Sequence, residues 1–234
     1  MRFAIAKMSS SIPVNETRFI ATAEKGEVSA ILMRPADATH LLVLGHGASS
    51  NMRNPMMATI AERLAEQNIA TFRYNFPYSE KGGGRNSVAT CTETIRSAVR
   101  AAGEAVPDLP ILAGGHSFSG RMTSTAQSEK PIEGVKGLVF FAFPLHPAGE
   151  PATKRADHLA NIDIPMLFLS GTRDALGAFD LLEPVVKGLG KNASLHLLDT
   201  ADHSFKVLKT KRRATENVFA EIARVLAKWS ADLS

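Results

Sequence analysis

A single cysteine, Cys91, stands in 234 residues, so no intrachain disulfide can staple the fold. That fits a reducing compartment, and a cytoplasmic location is expected. No run approaches the roughly 18 apolar residues that a membrane span needs. Met1–Lys7 holds too few apolar residues for a signal-peptide core, and Met8 is an alternative start. Charge of one sign is also scarce. The net charge of +4 does not by itself mark a nucleic-acid or membrane partner. Repeats and low-complexity linkers are absent, so residues 1–234 are expected to form one domain. The triple glycine Gly82-Gly83-Gly84 lacks the Gly-Lys-Ser/Thr ending of a phosphate loop, and it reads as a mobile connection.

What is present is apolar matter in short runs. Hydrophobic residues make up 44% of the chain, enough for a sizeable core. Thr17–Ala23 and Glu27–Arg34 read as two strands joined at Lys25-Gly26, an antiparallel hairpin. His40–Leu44, Ala70–Asn75, Pro110–Gly114, Val135–Ala142, Pro165–Ser170 and Ser194–Leu198 read as further strands, several apolar on both faces. Between them Pro55–Gln67, Val88–Ala105, Gly120–Gln127, Lys154–Asn161 and Ala178–Leu189 have helical spacing, the last strained by Pro184. Arg212–Trp229 closes the chain as an amphipathic helix, and Pro77–Asn86 reads as a loop. Cys91 shares a helix face with Val88, Ile95 and Val99, which marks a buried thiol rather than a reactive one. Strands alternating with helices imply a mostly parallel, twisted sheet with helices on both faces. Ligands in such sheets bind beyond the carboxyl ends of the strands.

Four strand ends carry chemistry. Ile111-Leu112-Ala113-Gly114-Gly115-His116-Ser117-Phe118-Ser119-Gly120 has the layout of a nucleophile elbow, with small residues at the two positions flanking Ser117 by two. A serine hydroxyl needs a base, and His203, after the last strand, is placed to reach it. The imidazole in turn needs a carboxylate to fix its tautomer. Asp174 stands at a strand end, whereas Asp202 is adjacent to His203, Asp199 leaves its strand too early and Asp180 lies within a helix. The catalytic set is therefore Ser117, His203 and Asp174. An oxyanion would be met by the amide of Phe118 and by that of Ala48, with Ser49 as second choice. His46 is expected to shape its loop, and His116 to point away from the chemistry.

The order Ser117, Asp174, His203 is that of α/β-hydrolases, and the chain resembles that superfamily from about Thr17 to Trp229. It is similar to the small dienelactone-hydrolase-like branch. The resemblance rests on Gly45-His46-Gly47-Ala48, Arg73-Tyr74-Asn75-Phe76-Pro77-Tyr78, Gly114-Gly115-His116-Ser117 with Gly120-Arg121-Met122, Phe143-Pro144-Leu145-His146-Pro147, Gly171-Thr172-Arg173-Asp174 and Asp202-His203-Ser204-Phe205. These resemble a group of hydrolases that includes a scaffold subunit of a chromatin acetyltransferase complex. Two departures stand out. Dienelactone hydrolases proper use cysteine where this chain has Ser117, and the closer group has Gly-Gly where this chain has Ser119-Gly120.

The resemblance implies an α/β-hydrolase fold and a serine hydrolase of small carboxylic esters, thioesters or related acyl compounds, working through an acyl-enzyme on Ser117. The alternative is a catalytically weak interaction module on the same fold. No metal or organic cofactor is implied, and the expected partner is a small acyl substrate, not nucleic acid or membrane. The chain would act as a monomer or homodimer. Pro144, Pro147 and Pro151 keep Phe143–Ile164 from forming a long helix, so no substantial lid is expected. Ser49, Asn75, Tyr78 and Arg121 are candidates to bind substrate, the last three alternatively fixing loops. Lys206, Lys209, Lys211, Arg212 and Arg213 form either a solvated helix start or a basic rim that attracts anions.

Overall fold

Side chains that alternate along a strand must be covered on both faces when both sets are apolar. In the computed structural model, which describes residues 12–233, β3 (His40–Gly45) directs Leu41 and Val43 into one core and Leu42 and Leu44 into another. The strands β6 (Val135–Phe141) and β7 (Met166–Gly171) divide likewise. Leu138, Phe140, Met166 and Phe168 face the first core, while Val139, Phe141, Leu167 and Leu169 face the second. The first is covered by α3 (Val88–Ala105), α4 (Phe118–Glu129), a 3₁₀ helix at Lys154–Asn161 and α5 (Phe179–Gly188). The second is covered by α1 (Pro55–Ala65) and α6 (Val218–Ala231), which pack on each other.

The hairpin is β1 (Val14–Thr22) with β2 (Gly26–Met33), followed in the chain by β3 and β4 (Ile69–Tyr74). With β5 (Ile111–His116) and β8 (Ala193–Leu198) they form one eight-stranded sheet in the order β1-β2-β4-β3-β5-β6-β7-β8. The β1–β2 and β2–β4 pairs are antiparallel and the remaining pairs parallel. This is the expected α/β-hydrolase arrangement, with β5 near the middle. The starts of α1, α3 and α6 are capped by side chains: those of Asn54, Ser87 and Asn217 accept from the Met56, Thr90 and Phe219 amides.

Several expectations need correction. The stretch Pro77–Asn86 is not all loop, because Pro77 opens a short helix, α2 (Pro77–Lys81), that ends at Gly82 with φ +75°. The closing helix starts at Val218, not Arg212. Arg212 instead turns inward to pair with Glu221 and donates to the Asp199 carbonyl at 2.6 Å, an interaction that ties the segment to β8. The basic run is thus not a helix start. Cys91 is buried, and burial pushes its thiol up to about 11. Between β6 and β7 the described chain forms only irregular segments and the 3₁₀ helix, with no α-helical lid. Among the described residues no helix is long and apolar enough to cross a membrane. The reading of Met1–Lys7 and Met8 lies outside the described residues.

Phe140 is fully buried, its ring 4.7 Å from that of Phe168 and 5.3 Å from that of Phe143. Phe140→Ala should therefore cost about 3–5 kcal/mol in urea unfolding. Ile20→Ala, on a side chain 54% exposed, should stay within about 0.5 kcal/mol.

Candidate active site

The turn from β5 into α4 presents Ser117 with φ +53° and ψ −111°, a backbone state costing about 1–3 kcal/mol for a residue with a side chain. It is held by the Ser117 N–H, which donates to the Phe141 carbonyl at 2.9 Å. Close packing does the rest. A Cβ at Gly115 would strike the Ser119 hydroxyl and lie 2.5 Å from the Gly45 carbonyl oxygen, and one at Gly120 would lie 2.8 Å from the Gly115 carbonyl oxygen. Ser119, where the related group has glycine, fits because Gly45 gives it room: a Cβ there would stand 2.5 Å from that of Ser119. The Ser119 hydroxyl turns back to donate to the His116 carbonyl at 3.1 Å. Serine at a helix start ordinarily bonds its own first turn, but Ser117 makes no such bond, and its Oγ lies 2.8 Å from His203 Nε2.

The loops after β7 and β8 carry the other two groups and touch one another directly. Arg173 N–H donates to the Ala201 carbonyl at 2.9 Å, Thr200 N–H to Thr172 Oγ1 at 2.9 Å, and a side chain at Gly171 would collide with the Ala201 backbone. This contact brings His203 Nδ1 within 2.8 Å of Asp174 Oδ2 and 2.9 Å of Oδ1. The Asp174 side chain is fully buried, and the Leu176 N–H also donates to its Oδ1, at 2.8 Å. With a proton on Nδ1 held by this carboxylate, Nε2 is left to accept from the Ser117 hydroxyl. The competing carboxylates are otherwise engaged. Asp202 Oδ1 accepts from the amides of Ser204 (2.9 Å) and Lys206 (3.0 Å), and Asp199 Oδ2 from that of Arg213 (2.8 Å).

His116 does not point away. As the last residue of β5 it lies on the second-core face, under the loop that carries His203. Its Nε2 donates to the His203 carbonyl at 2.8 Å, and the two rings are 5.2 Å apart. On the other side, a Cβ at Gly47 would stand 3.0 Å from His116 Nδ1. His116 therefore spans from the Gly47 loop to the histidine loop. Adjacency to Ser117 concealed this, because the positive φ sends the two neighbours in different directions.

His46 is the structural residue expected, and its bonding also orients an amide. Its Nδ1 donates to the Gly47 carbonyl at 2.8 Å, while Nε2 faces the Phe76 amide and the Ser79 hydroxyl. In a planar trans peptide the C=O and the next N–H point oppositely, so the Ala48 N–H is turned away from His46. The Phe118 amide is first in α4 and has no carbonyl to meet within the helix.

A cavity of about 400 Å³ opens over Ser117 and His203 and is lined by Ala48, Ser49, Met56 and Lys206 among others. Of the candidate substrate residues, Ser49 lines it and Asn75, Tyr78 and Arg121 do not. Asn75 is buried, with Oδ1 accepting from the Met52 amide (2.9 Å) and Nδ2 donating to Glu80 (2.7 Å), so it fixes its loop. Tyr78 stacks on Phe76 at 5.8 Å, and burial raises its hydroxyl pKa. Arg121 lies one turn into α4, beyond Phe118, where its N–H donates to the Ser117 carbonyl at 3.2 Å. Of the basic run, Lys206 reaches the cavity. Among the described residues no cluster of three or more His, Cys, Asp or Glu side chains is placed to hold a metal ion.

Burial pushes both His46 and His116 down from the ordinary 6.5 to about 4. Their imidazole signals in NMR should stay in the neutral form until about pH 4. Because the folded values lie below the unfolded one, stability from these neutral rings is present above pH 6.5 and is lost as pH falls from 6.5 to about 4. Replacing His46 with Gln should flatten that part of the stability profile.

The sequence model of the family described as "Alpha/beta hydrolase domain" matches residues 38–231. Solved structures share the fold. A dienelactone hydrolase from Anabaena variabilis superposes with a TM-score of 0.73 at 18% identity, covering 94% of this chain and 98% of that one. An alpha-beta serine hydrolase homologue from Coxiella burnetii gives 0.70 at 19%, covering 94% and 99%. A serine hydrolase from Xanthomonas campestris, described as having no lid, gives 0.69 at 16%, covering 94% of each chain. With more than half of its length matched by the family model and the same fold in these neighbours, the chain belongs to the alpha/beta hydrolase family.

Proposed function

We propose that the chain is a single-domain serine hydrolase that cleaves small carboxylic esters, thioesters or related acyl compounds through an acyl-enzyme on Ser117. The observation that carries this reading is the continuous hydrogen-bond line from Ser117 Oγ through His203 to the buried Asp174, at 2.8 Å on each side of the imidazole. Ser117 Oγ attacks the acyl carbon while its proton passes to His203 Nε2. The oxyanion accepts from the Phe118 and Ala48 amides. Collapse expels the alcohol or thiol, which takes the proton from His203. Water then gives a proton to His203 and attacks the acyl carbon; the tetrahedral species collapses, and the proton returns to Ser117 Oγ as the acid leaves. Asp174 keeps its negative charge throughout and holds the imidazolium. His116 acts on the position of the His203 backbone and not on the substrate.

Ser117→Ala should abolish fluorophosphonate labelling and p-nitrophenyl acetate hydrolysis while leaving the thermal transition cooperative. Labelling at the wild-type level would remove Ser117 from its role. Asp174→Asn should lower turnover about 10⁴-fold; a loss confined to Asp202→Asn would reassign the acid.

The absence of a helical lid between β6 and β7 among the described residues bears on substrate size. A lid buries a long acyl chain at about 0.8 kcal/mol per CH₂. Without it kcat/KM across p-nitrophenyl esters should peak at short chains, about C2 to C4, because added methylenes stay in water. A steady rise through C8 to C12 would reveal an apolar channel and contradict this.

A further inference from the structure

Three arginines, Arg85, Arg121 and Arg155, lie near one another around the start of α4. Arg121 is four residues beyond Ser117, in the first part of α4. The 3₁₀ helix at Lys154–Asn161 packs on α4, pinned by His158 Nε2 and Ser124 Oγ at 2.7 Å. Ser124 follows Arg121 by three residues and His158 follows Arg155 by three, and i, i+3 spacing keeps each pair on one helix face. Arg121 and Arg155, on these two packed helices, lie close enough for the Arg155 charge to act on the Arg121 guanidinium. Arg85 completes the group from the loop before α3, its guanidinium 5.1 Å over the centre of the Phe118 ring.

The group has no ion-pair partner among the described residues. Among the described residues no carboxylate lies within 4.0 Å of any of the three guanidiniums. Asp157 is exposed and acts on His158 without pairing with them. Arg121 is part-buried, and burial, then Arg155 and Arg85, lower its pKa. Arg155 is also part-buried, whereas Arg85 is exposed; holding the part-buried pair together without an anion is unfavourable, and a bound anion reduces the cost.

The sheet separates this group from the other half of the site. His203, His116 and the cavity beside Met56 and Lys206 belong to the face of α1 and α6, whereas Phe118, Arg121 and Arg155 belong to that of α3, α4 and the 3₁₀ helix. His203 must return its proton to the leaving group, so the leaving group lies on its side and the acyl chain runs the other way, over Phe118. We infer that Arg121, Arg155 and Arg85 form an anion-binding subsite for the acyl portion, and that the substrate is the ester or thioester of an acid bearing a second, free carboxylate. This rests on the serine-hydrolase reading and names its substrate class.

The test compares 4-methylumbelliferyl hydrogen glutarate with 4-methylumbelliferyl valerate, each corrected for spontaneous hydrolysis. Charge-assisted hydrogen bonds of the usual strength predict that kcat/KM favours the glutarate about tenfold or more at low salt. The preference should shrink as salt rises. Arg121→Gln and Arg155→Gln should bring the ratio toward unity, and Arg121→Lys should retain part of it. Equal kcat/KM values in the wild type, or a ratio untouched by either substitution, overturn the inference. With the charge on the leaving group, 4-acetoxybenzoate against phenyl acetate should show no such preference; a preference there only would assign anion recognition to Lys206 instead and overturn it too. Calorimetry with monomethyl glutarate reads the subsite without turnover. The wild type should bind about tenfold more tightly than Arg121→Gln, and equal or absent binding counts against the subsite. If that difference holds while neither ester is cleaved, the hydrolase reading fails and the subsite stands.

Discussion

The arrangement depends on one strained residue. Ser117 occupies a backbone conformation that side chains disfavour, and it stays there because neighbours on three sides leave no alternative. Its amide is tied to Phe141 on β6, the elbow backs onto Gly45 at the end of β3, and Gly120 closes on the Gly115 carbonyl. Such strain persists only where surrounding structure over-determines it, and a central strand of a close-packed parallel sheet supplies that. The same contacts explain why serine is tolerated at position 119: the space a glycine would leave empty there is matched by a glycine at 45.

From that point the sheet acts as a partition. Residues of β5 alternate between two cores, so Ser117, at the strand's end, stands above the boundary between them. On one side the α1 and α6 face brings the His203 loop, backed by His116 from below and by the buried Asp174 from β7. On the other, α4 and the 3₁₀ helix bring Arg121 and Arg155, which no carboxylate pairs among the described residues. The oxyanion donors of the proposed mechanism lie between, with the Ala48 amide oriented by the buried His46 through the Gly47 carbonyl.

Much of this was legible in the sequence because it depends on local patterns. Doubly apolar runs gave the inner strands, helical spacing over Val88–Ala105 gave α3, and a serine among glycines at a strand end marked the elbow. What could not be read depends on contacts distant in the chain. Nothing near Arg212 reveals that Glu221 will draw it inward, and the last helix begins at Val218, behind its Asn217 cap. Asn75 and Tyr78 do stand after a strand, but their partners, Met52, Glu80 and Phe76, pull both side chains away from the cavity. His116 was misread because strand alternation, not proximity to Ser117, decides its face, and the residue above it comes from 87 positions later.

In the proposed reaction the Ser117 hydroxyl, activated by His203, carries the acyl group. The most direct measurement is peptide mass mapping of protein quenched in acid within the first turnover of p-nitrophenyl acetate. An acetyl group is expected on the peptide containing Ser117, lost on further incubation and absent in His203→Ala. Hydrolysis that proceeds with no acetyl on that peptide, or with the acetyl on a lysine such as Lys206, would contradict it.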